Sequence, residues 1–381
     1  MSGTSLYLCG LVPKYRIGVE NRPRLSPLPS KETPDMYVAN DTKIAAYRRE
    51  AEREIRAFTR DYCHRDDRIA SLSYIGTFVF YFTTLWLANL VWGQWSLVVL
   101  LVALNALSGV RLYVLQHDCG HTSLFSTRRL NDLAGICLSV FTLTPYRPMQ
   151  FNHNEHHAHL GNLDERETTE IFTMTVREWQ QADWFKRLWY RLYRNPAILL
   201  PLGGIFAYVF AYRWPKNTTR VGVLGVFANN LGVFAWIWLI WQIFGVPGLI
   251  IYAGTVFTAG MVGVALVYLQ HNFEDTYWNH KPDLNPAHAA LQGSSALDLG
   301  WFVDLAVCNI TYHDIHHFNA NIPSYRLRQC HRNLRRKYDL PTIGWPEAIR
   351  SFTLKLWDED QGRLVKFPRT REISVTAPDL G

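Results

Sequence analysis

Two long blocks of the sequence contain no charged residue. Residues 69–110 and residues 221–270 carry neither Asp, Glu, Lys nor Arg. A membrane-spanning helix needs about 20 consecutive, mostly apolar residues, so each block is long enough for two passes. The buried helices of soluble proteins rarely require so many uncharged residues in succession. The two blocks therefore predict an integral membrane protein rather than a fold built around an ordinary soluble core.

Each block has a turn signal near its middle, which divides it into two spans. The first block contains Gly93 and Gln94, and the second contains Gly245, Pro247 and Gly248. Glycine and proline at such positions interrupt a helix. We therefore expect two helical hairpins. The four predicted spans lie near residues 72–92, 95–116, 221–244 and 247–270.

Basic residues are distributed unevenly around these spans. Neither hairpin tip, 93–95 or 245–248, carries a Lys or Arg. Cytoplasmic loops are enriched in Lys and Arg, so we expect both termini and segment 111–220 on the cytoplasmic side. This orientation requires two shorter apolar runs, 130–146 and 197–213, to lie in or on the membrane interface.

The region before the first block contains one amphipathic segment. Its apolar residues recur at steps of three and four, which is typical of a helix: Ile44, Tyr47, Ala51, Ile55, Phe58 and Tyr62. This helix would lie either on the membrane surface or on a cytoplasmic cap. We assign 1–70 to a cytosolic N-terminal tail, 71–340 to the membrane domain and 341–381 to a cytosolic C-terminal tail.

The overall charge and the cysteines limit the partners and the compartment. The formal net charge is +7, from 39 Lys and Arg against 32 Asp and Glu. Such a balance is typical of proteins that bind nucleic acid, anionic lipid or an acidic partner. For a protein embedded in a bilayer we expect membrane lipids and no nucleic acid. The six cysteines form no C-x-x-C motif, which favours reduced thiols over a disulfide framework.

Histidines carry the clearest chemical signal. Nine of the 14 fall into four places, as one H-x-x-x-H, two H-x-x-H-H and one histidine at the end of the fourth span. Positions i, i+3 and i+4 share one helix face, so each box directs its imidazoles toward one point. Neutral imidazole is a common ligand of zinc, copper and iron. The candidate metal ligands are His117, His121, His153, His156, His157, His271, His313, His316 and His317.

Nine imidazoles are too many for one zinc ion, which takes four ligands, and they indicate two metals. Iron with open positions activates oxygen, and the ligand types leave copper open. Imidazole ligands need outer carboxylates that fix their tautomers. The candidates are Asp118, Glu155 and Asp314, with Asp164, Glu274 and Asp275 as further possibilities. We expect His280, His288 and His331, which have no box partner, on the surface.

The three boxes, their order and the His271 segment resemble the membrane fatty acid desaturase superfamily, and most closely its Δ12/omega-6-like branch. The resemblance extends to residues 161–166, 173–179, 191–196, 270–278, 290–294 and 322–326. It implies an all-α integral membrane protein with four transmembrane helices, interfacial helices and a cytosolic helical cap. It further implies a di-iron centre and O₂-dependent insertion of a double bond into a fatty acyl chain.

One position departs from the family pattern. Acyl-CoA desaturases of this superfamily carry an Asn four residues before the lone His, where it holds a water on one iron. This sequence has Val267 there. Asn309, four residues before His313, is expected to share the face of that box and to take the role. We find no stretch that resembles cytochrome b5 or ferredoxin, so we expect a separate electron donor of the ferredoxin, rubredoxin or cytochrome b5 type.

Two other function classes remain open at this point. The same ligand set serves hydroxylation, acetylene formation and oxidative decarboxylation to a terminal alkene. A membrane metal transporter or sensor is a non-enzymatic alternative, but it is expected to place polar ligands in the middle of its spans. The histidines here lie at the ends of the predicted spans, which favours the enzyme.

Overall fold

A computed structural model describes residues 49–166, 171–214 and 219–368. This part of the chain is mostly helical. Four of its helical segments are long and apolar enough to cross a membrane, which supports a multi-pass membrane protein. They are Asp67–Leu90, Trp95–Gly120, Pro196–Arg213 and Val223–His271.

The first charge-free block forms two helices that pack side by side. Helix α1 (49–60) precedes them, and α2 (Asp67–Leu90) and α3 (Trp95–Gly120) follow. The α2 N-terminus is capped by Asp66, whose carboxylate accepts hydrogen bonds from two backbone N–H groups. Gly93, with a φ of 95°, lies in the turn between the helices. Asn105 of α3 donates a hydrogen bond to the Tyr81 carbonyl of α2 at 2.6 Å, so the uncharged interface still contains a polar contact.

Four shorter helices follow α3. Helix α4 (Arg128–Phe141) has 14 residues, which is too few to cross a bilayer. Its exposed face carries Leu130, Leu133 and Ile136, as a helix lying in the interface would. Helix α5 (Tyr146–Ala158) follows. Strand β1 (Met174–Thr175) then leads into α6 (Val176–Gln181) and α7 (Trp184–Tyr193).

The run expected at the interface near 197–213 forms a longer helical segment than that placement needs. Helix α8 (Pro196–Ile205) continues as a π-helical turn (Phe206–Phe210) and a 3₁₀ turn (Ala211–Arg213). Together they form one of the four segments long enough to span. Its interfacial placement therefore stays a prediction. A Cβ on Gly204 of α8 would lie 2.7 Å from the Gly260 carbonyl carbon, so this segment packs directly on the following helix.

The second charge-free block forms α9 (Val223–His271), which contains both predicted spans. Its 49 residues are interrupted at Gly245, where φ is 62° and ψ is −149°. A straight helix would separate Trp236 from Tyr252 by about 24 Å. Their rings instead lie 6.3 Å apart between centroids. The chain therefore turns back at Gly245, where the sequence predicts a break.

The rest of the described chain builds a cap of short elements. Its helices are α10 (Pro286–Gln292), α11 (Trp301–Ala306), α12 (His313–Phe318), α13 (Ser324–Leu334) and α14 (Trp345–Ser351). Its strands are β2 (Ala296–Leu297), β3 (Thr342–Ile343), β4 (Leu356–Asp358) and β5 (Arg363–Val365). Strand β4 pairs in parallel with β1 and antiparallel with β5, and β2 pairs in parallel with β3.

These strands correct two expectations. The protein is mostly helical rather than all-α, because segments distant in sequence pair through short extended stretches that carry no periodic signal. Residues 342–365 are also part of the folded cap rather than a tail, since Leu356 and Leu364 are buried. The boundary that we assign at residue 340 thus lies inside the cap. Of the predicted C-terminal tail, residues 369–381 fall outside the described residues.

The amphipathic segment packs on the cap. Ala51 and Ile55 of α1 are buried, and the Asn333 amide donates a hydrogen bond to the Tyr62 hydroxyl at 2.8 Å. Ile44 and Tyr47, which belong to the same predicted stripe, lie outside the described residues. Of the two placements left open by the sequence, these contacts favour the cap.

Candidate metal centre

Four elements of the structure deliver the nine candidate histidines to one region. Helix α3 ends with His117 in its last turn and His121 as its C-cap. Helix α5 carries the second box, α12 carries the third, and His271 is the last residue of α9. The turns that end these helices bring the four segments together, although the boxes are far apart in sequence.

The nine histidines form two groups. Within each group the ligand nitrogens all lie within 4.8 Å of one another. The first group contains His117, His121, His153, His157 and His316. The second contains His156, His271, His313 and His317.

Ring nitrogens in both groups face each other at short range. In the first group, His157 Nε2 lies 2.9 Å from His153 Nε2 and 3.1 Å from His316 Nε2. In the second group, His313 Nε2 lies 2.9 Å from His317 Nε2 and 3.1 Å from His271 Nε2. Facing nitrogen lone pairs repel unless a proton or a cation lies between them, so the arrangement fits metal ions.

Burial keeps these candidate ligand rings neutral. Burial first, and then the neighbouring imidazoles, holds the pKa of His153 and of His316 well below the usual histidine value. Both causes act in the same direction on the pKa values of His156, His157, His313 and His317. A metal needs the deprotonated nitrogen, so the pocket favours the form that binds.

Two further nitrogens support the same interpretation. Among the described residues, Nε2 of His117 and Nε2 of His121 are buried and have no hydrogen-bond partner. A buried polar atom without a partner is costly. Both residues belong to the first group, where a metal would satisfy them. The all-nitrogen donor set suits a transition metal rather than magnesium or calcium.

Outer contacts orient the rings of His117 and His271. The Asp118 carboxylate lies 3.3 Å from His117 Nδ1 and also accepts a hydrogen bond from Ser324 N–H at 2.8 Å. His271 Nδ1 lies 3.3 Å from the Gly293 carbonyl. Each contact places the proton on Nδ1 and leaves Nε2 free for a metal. The structure thus places one predicted outer carboxylate, Asp118, against a candidate ligand.

The other predicted carboxylates lie elsewhere. Asp164 pairs with His280 at 2.5 Å, and Glu274 pairs with Arg350 at 2.7 Å. No described hydrogen bond joins the half-buried Glu155 carboxylate to a box histidine, and Asp275 is exposed. Asp164 and Glu274 therefore form ion pairs with residues that belong to neither histidine group.

His331 corrects the expectation of a surface position. It is buried, and its Nδ1 lies 3.0 Å from the Asp314 carboxylate, which is also buried. Asp314 therefore pairs with His331 rather than with a box ring. The spacing of Leu327, Cys330, His331 and Leu334 places all four on one buried face of α13, and this was the sequence signal for His331.

Asn309 does not lie on the face of the third box. Helix α12 begins at His313, and Asn309 precedes it with a left-handed φ of 58°. Its amide donates a hydrogen bond to the Ser324 carbonyl at 3.2 Å, and it belongs to neither histidine group. The shared-face argument is therefore wrong, because the helix does not extend back to residue 309. Its role as a water-holding residue stays a prediction.

Comparison with known proteins identifies the family of the chain. The family model for fatty acid desaturases matches residues 90–347. A fatty acid desaturase of Bacillus subtilis is 35% identical over 270 residues, which cover 70% of this chain and 77% of the relative.

Two relatives from Synechocystis carry more specific names. An sn-1 oleoyl-lipid 12-desaturase is 26% identical over 242 residues, with 61% of this chain and 66% of the relative covered. An sn-1 acyl-lipid omega-3 desaturase (ferredoxin) is 28% identical over 247 residues, with 58% and 62% covered. With the membrane helices and the two histidine groups, these matches identify the chain as a multi-pass membrane oxidoreductase that belongs to the fatty acid desaturase family, in its Δ12-like branch.

Proposed function

We propose that the protein is an O₂-dependent acyl-lipid desaturase that holds two iron ions and takes electrons from a separate donor protein. The observation that carries the proposal is the pair of adjacent all-histidine groups, with an apolar cavity one helical turn away along α3. Removal of hydrogen from an unactivated methylene lies beyond ordinary acid, base or nucleophile chemistry. A redox-active metal pair near an apolar cavity meets that requirement.

Each histidine group would hold one iron. His117, His121, His153, His157 and His316 would bind the first, and His156, His271, His313 and His317 the second. When bound, the irons supply the O₂ activation and electron transfer that amino-acid side chains lack. The protein orients the nitrogens through outer contacts such as Asp118 to His117.

An apolar cavity of about 690 Å³ supplies room for an acyl chain. Gly109 and Tyr113 of α3 line it, together with Tyr208 of the π-helical turn and Tyr252 of α9. Ligand pockets for single small molecules fall in this range of volumes. Tyr113 lies one helical turn before His117, so the cavity approaches the first histidine group along α3.

A hydrogen-bonded wall joins the cavity to the metal centre. Thr142 lines the cavity, and its hydroxyl donates a hydrogen bond to Gln116 Oε1 at 2.6 Å. The Gln116 amide in turn donates to the Thr144 carbonyl at 2.8 Å. Gln116 directly precedes His117, so this wall fixes the end of α3 against the segment that follows α4. A chain held there would be positioned relative to the irons.

The side of the membrane follows from charge. The hairpin tips carry no Lys or Arg, so the histidine groups and both termini would face the cytoplasm. Electrons would come from a soluble or membrane-bound donor there, of the ferredoxin, rubredoxin or cytochrome b5 type. A relative named for ferredoxin supports the first of these.

The decisive experiment is lipid profiling in a host that lacks polyunsaturated acyl chains. Expression of the wild-type chain should add one double bond to host acyl chains, identified by mass spectrometry. The His316→Ala variant, expressed to the same level, should give no product. Hydroxylated, acetylenic or terminal-alkene products instead would contradict desaturation while retaining the metal centre. Metal transport without any lipid product would contradict an enzyme.

A further inference from the structure

A second, polar pocket of about 550 Å³ lies on the cap between α1 and the turn that follows α12. One wall is a stripe of α1 and its C-terminal extension. Arg56, Thr59, Arg60 and Cys63 lie at positions i, i+3, i+4 and i+7, which share one helix face. Arg65 and the segment 318–321 complete the lining.

Direct contacts hold the two walls together. The Asn319 amide donates hydrogen bonds to Thr59 Oγ1 at 3.2 Å and to Cys63 Sγ at 3.4 Å. The Arg56 guanidinium lies 5.0 Å from the centroid of the Phe318 ring. The pocket is therefore a built concavity with side chains fixed on both sides, and its shape does not depend on one mobile residue.

The pocket has an excess of positive charge. The Glu52 carboxylate partly neutralises Arg56, with an ion pair at 2.9 Å. Among the described residues, no carboxylate lies within ion-pair distance of Arg60 or Arg65. Nε of Arg65 is buried without a hydrogen-bond partner in that part of the chain. Two arginines are thus available to an anion, and one of them already has a desolvated donor.

The chemistry of the lining selects the kind of anion. Arginine forks bind phosphate in a bidentate manner, and the side-chain amide of Asn321, which also lines the pocket, can donate a further hydrogen bond. The concave shape and the volume suit a small group rather than the flat surface of a folded partner. We propose that this pocket is a phosphate-binding site.

The position of the pocket relates it to the reaction. Phe318 lines the pocket and directly follows His317 of the second histidine group. On the proposed function, on which this step rests, the site would hold the phosphate of the acyl carrier beside the metal centre. That phosphate belongs either to a phospholipid headgroup or to a phosphopantetheine arm.

Direct binding to the full chain tests the site without any need for activity. We would measure dissociation constants of detergent-solubilised protein, metal-free and iron-loaded, for inorganic phosphate and for coenzyme A. Nanodiscs of phosphatidylcholine with and without phosphatidylglycerol supply the lipid arm. Wild-type protein should bind inorganic phosphate and at least one of the two organic phosphates. Whichever of coenzyme A and the phospholipid nanodiscs displaces inorganic phosphate identifies the source of the bound phosphate.

The test variant is Arg60→Gln with Arg65→Gln, which leaves the Arg56 and Glu52 pair intact. It should weaken phosphate binding about tenfold or more, because two charge-assisted contacts are lost. The matched control is Arg332→Gln with Arg336→Gln, which removes the same charge from two exposed residues elsewhere on the cap. Retained iron content in both double variants shows that the fold persists.

Three results would overturn the site. The first is the absence of phosphate binding by the wild type, and the second is an equal weakening of phosphate binding in the control variant. The third is an increased KM for the reduced donor protein in the Arg60→Gln, Arg65→Gln variant, with unchanged phosphate affinity. The last would make this face a protein-docking surface. Phosphate binding by a wild-type chain that forms no desaturated product would support the site and contradict only the proposed function.

Discussion

The imidazole rings of His157 and His317 lie 4.2 Å apart between centroids, although they belong to different histidine groups. His156, which precedes His157 on α5, is itself a member of the second group, and its Nε2 lies 3.3 Å from His317 Nε2. Helix α5 therefore contributes to both groups and forms the wall between them. Ions bound in the two groups would be close neighbours in one buried chamber.

We expect two irons per purified chain, and we expect single variants to empty the groups separately. His121→Ala should remove the metal of the first group, and His313→Ala that of the second, so each should lower the metal content from two to one and abolish product. Metal analysis of purified protein measures the content.

His288→Ala is the control for these variants, since His288 lies in neither group and is only half-buried. It should retain both metals and turnover. A reproducible content of one zinc in active protein would contradict the two-iron centre. Normal iron content and turnover in His271→Ala would show that the second group is assigned wrongly.

His331 is expected to matter despite its distance in sequence from the boxes. His331→Ala leaves the buried Asp314 carboxylate without its partner, which should cost about 1–3 kcal/mol of stability. Because Asp314 directly follows His313 in α12, loss of its partner should also lower the metal affinity of the second group. Thermal unfolding and metal titration measure the two effects. Unchanged values for both would show that the pair has no supporting role, whereas partial recovery in His331→Gln would support it.

The metal-free protein should lose stability as the pH falls. In the folded chain, burial holds the pKa of the α5 and α12 box histidines well below the usual value of 6.5. Below pH 6.5 the unfolded chain therefore binds more protons than the folded chain, and stability decreases with decreasing pH. Melting temperatures of chelator-treated protein between pH 8 and 5 test this, and a flat profile would contradict it.

A larger side chain in the apolar cavity should restrict the acyl chain without disturbing the metals. A Cβ on Gly109 would lie 3.5 Å from Ala259 Cβ, and both residues line the cavity. Gly109→Ile should therefore reduce conversion of long acyl chains several-fold relative to short ones, at unchanged iron content. Gly225→Ile is the matched control, since nothing lies within 4 Å of a Cβ there. An unchanged product profile in Gly109→Ile would exclude this cavity as the acyl site.

Cysteine labelling can establish the orientation in the membrane. Gln94→Cys and Val246→Cys, at the charge-free tips, should react with an impermeant reagent from the outside. Asp164→Cys, on the exposed cap surface, should react only after the membrane is opened. Reaction of Asp164→Cys from the outside would invert the proposed orientation.

The sequence predicts the features that depend on local periodicity. The charge-free blocks locate α2, α3 and both halves of α9, and i, i+3, i+4 spacing locates the box faces. Where a helix is assumed rather than signalled, the inference is wrong, as for Asn309, which lies before the start of α12. His331 has no partner at box spacing, which predicts a surface position, but it lies on the buried apolar face of α13.

Other features depend on contacts between distant segments and could not be predicted locally. Met174 pairs with Leu356, and Ala296 pairs with Thr342, through strands of two or three residues. Such strands are too short to show an alternating pattern. The division of nine histidines into groups of five and four likewise depends on the packing of α3, α5, α9 and α12.

The third box contributes to both histidine groups, with His316 in the first and His313 and His317 in the second. A growing polypeptide therefore completes neither histidine group until residues 313–317 have been synthesised. A metal ion would therefore gain its full set of ligands only after the long apolar helices have been made, so complete loading would be a closing step of maturation. A chain truncated before residue 313 would keep only His156 and His271 of the second group, so it should lack that metal, and metal content would report whether synthesis was finished.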